Sequence, residues 1–165
     1  MKKRSIILVL FVLVITSCSP TYQQFYNSHK NDVNSTAFQM PRFLVNILGG
    51  LSPETNSFFK NMNDFSYITL KNVSPEEWEL INIEINSITN KKYTDILRKT
   101  EIDQKTIISA KEIDGIVKEL IYFKYQNNNV NSFYIKGNFD SNKIEQLVSN
   151  NEFENLSSKL LEYQN

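Results

Sequence analysis

Apolar positions divide this 165-residue chain into regimes of different period. Ile6 through Ile15 is an unbroken apolar run behind Lys2, Lys3 and Arg4. That is the layout of a secretory signal, and at about half of the ~20 residues a membrane span needs, it is too short for a permanent anchor. The next stretch, SPTYQQFYNSHKNDVN over 19–34, is polar and shows no apolar period, which predicts a tether. Helical spacing with one strand inserted then runs to about Leu97, and from Lys105 the period falls to 2.

The first helix is expected from Pro41 to Leu48, with proline at its start and Gly49 past its end. Ser52-Pro53 repeats the start signal for a second, carrying Phe58, Phe59 and Met62. Phe65–Val73 alternates as a strand, with Ile68 and Leu70 on one face. Ser74-Pro75-Glu76-Glu77 is a capping box opening a helix that buries Trp78, Ile81, Ile85 and Ile88. Tyr93–Leu97 continues this helical region after a break near Asn90.

Three strands follow at Thr106–Ala110, Ile116–Tyr125 and Ser132–Gly137. Asp114-Gly115 and Asn127–Asn129 join them, because these residues accept the positive φ that tight turns require. On the middle strand Val117, Ile121, Phe123 and Tyr125 are expected on one side and Lys118 and Lys124 on the other. Asp140 or Ser141 caps a helix with Ile144, Leu147 and Val148 inward, and Phe153, Leu156 and Leu160 mark a last one.

The sum is an α+β fold: an antiparallel sheet that includes a three-strand C-terminal meander, with helices packed mainly on one face. The pairing of the Phe65 strand is open, a ferredoxin-like arrangement being one option. The chain divides into a signal peptide at 1–17, a lipidated cysteine and polar tether at 18–34, and a single α+β domain at 35–165.

Charge and cysteine use sharpen the picture. The chain has 18 basic and 18 acidic residues, and loss of Lys2, Lys3 and Arg4 with the leader leaves 15 against 18, a net charge of −3. Nothing in that balance suggests nucleic acid or an anionic membrane surface as a partner. Cys18 is the only cysteine, so no intramolecular disulfide can form. Ile15-Thr16-Ser17-Cys18 resembles a bacterial lipobox, which implies cleavage between Ser17 and Cys18 and acylation of Cys18. The partner so implied is a lipid bilayer held through N-terminal acyl chains, since two or more chains anchor a protein stably. No acidic run follows Cys18, and the expected station is the outer membrane, facing the periplasm.

The inventory of reactive groups is thin. His29 is the only histidine and falls in the expected tether, where no functional role is predicted. Gly49-Gly50 lacks the Gly-Lys-Ser/Thr of a phosphate loop, and no zinc or calcium spacing occurs. Glu76 and Glu77 are adjacent on a helix and point in different directions, so they complement the helix dipole rather than form an acid/base pair. No catalytic residue, metal or cofactor is assigned. The expectation is a non-catalytic binding or accessory module that contacts an envelope protein or a small ligand. Tyr122 and Tyr134 are its candidate surface, provided that helices do not cover both sheet faces. The rival classes are a structural or stress-regulatory envelope component and, behind both, a hydrolase using distant carboxylates.

Several of these features together resemble a family of exported Gram-negative lipoproteins, the domain of unknown function 4252. They are Cys18, the Met40–Leu44 segment, Tyr93–Leu97, and two long strands leading to Ile135-Lys-Gly137-Asn-Phe-Asp140 before a helix. The resemblance spans about 33–148 and implies a lipid-anchored α+β domain; it carries over no catalytic residues.

Overall fold

The computed structural model describes residues 20–41 and 58–162. The leader, Cys18, and most of the helices expected from Pro41 and Ser52 lie outside the described residues. The fold is α+β. Strands β1 (Ser35–Pro41), β2 (Met62–Leu70), β3 (Thr94–Thr100), β4 (Gln104–Ile113), β5 (Ile116–Gln126) and β6 (Asn129–Phe139) form one sheet in the order β1-β2-β6-β5-β4-β3. All neighbours are antiparallel. The described helices are α1 (Tyr22–His29), α2 (Pro75–Lys92), α3 (Ser141–Ser149) and α4 (Glu152–Glu162).

The β4–β5–β6 meander forms where alternation and turn chemistry place it. Asp114 and Gly115, and Asn127 and Asn128, all take positive φ, between 52° and 75°, as two-residue hairpin turns demand. The open pairing of β2 is settled by β6 on one side and β1 on the other. The capping box of α2 is made: Ser74 Oγ accepts from the Glu77 backbone N–H, and the Ser74 N–H donates to Glu77 Oε2. Asp140 caps α3 with a single bond, its side chain accepting from the Lys143 N–H.

Several expectations are corrected. Pro41, expected to start the first helix, ends β1, and Met62, expected on the second, opens β2. The polar stretch is not all tether, because Tyr22–His29 is helical, capped by Thr21 with Gln24, and buries Tyr22, Phe25 and Tyr26. Those residues stand at i, i+3 and i+4, a stripe only one turn long that polar neighbours conceal. Tyr93–Leu97 does not continue a helix: Tyr93 is extended at the end of α2, and the segment pairs with β4 as the edge strand β3. The free backbone groups of β4 outweigh a weak helical spacing there.

Finally, helices cover both faces instead of mainly one. α1 and α2 pack over Ile68, Leu70, Ile107, Ile121 and Phe123, whereas α3 and α4, with Phe58 and Phe59, pack over Phe65, Tyr67, Tyr122, Phe133 and Ile135. A bulge between Val117 and Glu119 reverses side-chain parity within β5. Val117 therefore lies with Leu120 and Tyr122, away from Ile121, Phe123 and Tyr125.

Gly137 marks a close approach. A Cβ added there would collide with the Asn61 carbonyl oxygen and the Phe139 ring. Because one obstacle is backbone, Gly137→Ala is expected to destabilise by about 1–3 kcal/mol, the ordinary cost of overpacking. A shift in the urea midpoint at constant slope would measure it.

Candidate functional site

Register brings four charges of alternating sign into one row across adjacent strands. Asp64 on β2 pairs with Lys136 on β6, Lys136 with Glu119 on β5, and Glu119 with Lys111 on β4. The row crosses the α1/α2 side of the sheet at the end that neither helix covers. A cavity of about 620 Å³ opens above it, bounded by Pro20 to Gln23 at the start of α1 and by Lys92 and Tyr93 at the end of α2.

Glu119 is the centre of this site. Lys111 Nζ donates to its Oε1 at 2.6 Å, and Tyr93 Oη donates to Oε2 at 2.5 Å. The Tyr134 hydroxyl faces the same carboxylate, and its ring stacks on Tyr22 at 5.3 Å. Burial pushes the Glu119 carboxyl up, but the bonds from Lys111 and Tyr93 and the Lys111 charge prevail and hold it below the usual range. Tyr93 and Tyr134 are both pushed up, first by burial and then by Glu119. At neutral pH the carboxylate is ionised and the phenols keep their protons. Bonds to both of its oxygens fix the Glu119 carboxylate in the cavity wall.

The expected Tyr122–Tyr134 surface does not form, because the two side chains point to opposite faces. Tyr122 opposes Phe133 and is wholly buried under α3 and α4, whereas Tyr134 opposes Ile121 and lines the cavity. Sequence reasoning missed Asp64, Lys111 and Glu119 because nothing local joins them; only strand register does.

A second polar cluster is structural. Lys105, with its ammonium under α2, donates to Asn82 Oδ1 at 2.5 Å and Asn86 Oδ1 at 3.1 Å. Arg98 spans Asp95, Asn86 and Thr89, and Ser109 donates to Asp95. Burial, then the Arg98 charge, lowers the Lys105 pKa. These bonds pin α2 to β3 and β4.

His29 is not in a tether but closes α1. Its Nδ1 meets Asp32 Oδ2 at 2.8 Å and its Nε2 meets Glu84 Oε2, on α2, at 3.1 Å. The Glu84 bond raises its pKa, burial opposes, and Asp32 adds to the rise. A raised folded pKa means that the clasp contributes fully below about 6.5, the ordinary imidazole value, and is lost as pH climbs through the folded one. His29→Gln is therefore expected to cost up to about 1 kcal/mol at pH 5.5 and little at pH 8.5, since the group is partly exposed. Denaturation of both proteins at the two pH values tests this, and a pH-independent difference would refute it.

Among the described residues no three His, Cys, Asp or Glu side chains could hold a metal ion, and no helix is long and apolar enough to cross a membrane. No curated protein and no solved structure matches the chain. A family described as domain of unknown function (DUF4252) does match, over residues 26–147, from within α1 into α3. With well over half of its length matched, from the first helix through all six strands, this chain belongs to the DUF4252 family.

Proposed function

We propose that the protein is a lipid-anchored lipoprotein of the bacterial envelope, and that its α+β domain is a non-catalytic binding or accessory module working through the Glu119 cavity. The leader Met1–Ser17 directs export, and Cys18 carries the acyl chains that hold the domain on the outer membrane, on the periplasmic side. The observation that supports binding over catalysis is the state of the central carboxylate. Both Glu119 oxygens already accept short bonds, from Lys111 and Tyr93, so the carboxylate is held in place as part of the wall. A preformed cavity with oriented donors and part-apolar walls is the ordinary form of a ligand site.

Feeding cells a clickable fatty acid is expected to label the protein, and Cys18→Ser to abolish the label. Equal labelling of the two would remove the anchor reading. In-cell crosslinking of the tagged full-length protein, with Cys18→Ser as comparison, tests the accessory role: a reproducible envelope partner lost with the anchor is the expected result, and a chain crosslinked to nothing in either form speaks against it.

A further inference from the structure

The start of the folded domain lies close to the residue that the anchor reading lipidates. Pro20 and Thr21 line the mouth of the Glu119 cavity, and α1 begins at Tyr22. Two residues of chain span at most about 7 Å, so the Cys18 backbone cannot stand farther than that from Pro20. The headgroup layer on each side of a bilayer is itself roughly 5–7 Å deep. A sixteen-residue tether would have let the domain roam; a helix starting four residues after Cys18 does not.

We infer that the cavity takes the phosphodiester headgroup of a phospholipid in the membrane to which the chain is tied, which sets the domain with the start of α1 and the Glu119 row toward the bilayer. The inference rests on acylation of Cys18, and it adds to that reading a ligand class and an orientation.

Charge supports the choice of ligand. Lys92, Lys111 and Lys136 stand against Asp64 and Glu119 around the cavity; three ammonium groups and two carboxylates leave one positive charge. A phosphodiester carries one negative charge. Lys111 is bound to Glu119 at 2.6 Å, whereas Lys136 stands in the row between Asp64 and Glu119, and neither it nor Lys92 has an ion-pair partner among the described residues. Both are exposed and able to turn toward a phosphate. The Gln23 amide adds a neutral donor, and the stacked rings of Tyr22 and Tyr134 add apolar wall for the glycerol stem. The mature chain as a whole is acidic, so a general pull toward an anionic surface is absent, and local recognition at this one mouth remains.

The test uses the full-length, natively processed protein in four settings: phosphate-free maltoside micelles, the same micelles with inorganic phosphate, vesicles of phosphatidylglycerol, and vesicles of an uncharged diacyl glycolipid. A water-soluble amine reagent is applied, and labelling rates of individual lysines are read by peptide mass spectrometry. Lys92 and Lys136 are expected to react on the order of tenfold more slowly in phosphatidylglycerol than in glycolipid or micelles, with Lys71 and Lys124 unchanged as remote controls. Equal rates in phosphatidylglycerol and micelles would overturn the inference. Equal protection by glycolipid would show mere proximity to a surface and overturn the phosphate claim. Protection by inorganic phosphate as strong as by vesicles would assign the cavity to free phosphate and overturn the membrane claim. The N-terminal peptide from the same digests reports acylation. If its Cys18 carries no acyl mass, the anchor reading fails, and the inference fails with it; acylated Cys18 with unprotected lysines sinks the headgroup alone.

Discussion

Phe133→Ala is expected to lower the unfolding free energy by about 3–5 kcal/mol. Phe133 sits on β6 near the middle of the sheet and is fully buried. Its ring stacks on Tyr122 at 4.6 Å and 7°, and it meets Phe65 at 5.9 Å and Phe153 at 6.0 Å. Truncation thus removes one ring from a cluster that joins β2, β5, β6 and α4, and leaves a void that β-sheet neighbours cannot collapse into without breaking register. A domain of this size has about 5–15 kcal/mol in total, so the variant should be close to unfolding at growth temperature. Urea denaturation would show the loss as a fall in midpoint at constant slope. A change below about 1 kcal/mol would mean that the cluster is not packed as described.

Glu119→Ala should lower the unfolding free energy by about 2–4 kcal/mol. The side chain retains only 19% of its exposure, and Lys111 30%. Removal leaves the Lys111 ammonium and the Tyr93 hydroxyl, both half-buried, without their acceptor. Glu119→Gln keeps an acceptor for Tyr93 while deleting the charge that Lys111 needs, so its cost should be smaller but measurable. The two differ from wild type in a pH-dependent manner. Burial raises and the Lys111 and Tyr93 bonds lower the Glu119 pKa, with a net fall; its contribution is therefore present above the ordinary carboxylate value of about 4.3 and disappears as pH drops through the folded value. The gap between wild type and Glu119→Gln should narrow in acid and be full at pH 7. A gap that persists unchanged at low pH would show that shape, and not charge, is what Glu119 supplies.

The proposal of a headgroup site depends on this wall being preformed. Lys111, Tyr93 and Tyr134 hold Glu119 from three sides, so the row of charges keeps its spacing before any ligand arrives. The side chains left to be ordered on binding are then those of Lys92 and Lys136. The His29 clasp has a related effect on the other boundary, because it ties α1, whose first turn forms the cavity mouth, to α2 through Glu84.

Sequence alone determined those parts whose physics is local. Alternation produced β2 and the β4–β5–β6 meander, since residues two apart share a face. Asp114-Gly115 and Asn127-Asn128 set the hairpins, because few other residues take positive φ without strain. Ser74 with Glu77 and Asp140 started α2 and α3 through bonds within four residues. Tertiary structure alone decided the rest. The β3 edge exists because β4 offers unpaired backbone groups, and α1 is helical because a three-residue aromatic stripe finds Tyr134 and Phe123 to pack beside. The faces themselves were decided by bulges, such as that between Val117 and Glu119, which shift parity and leave no trace in composition. The candidate site follows from the same cause: Asp64, Lys111, Glu119 and Lys136 are scattered over 73 positions, and only cross-strand register sets them in one row.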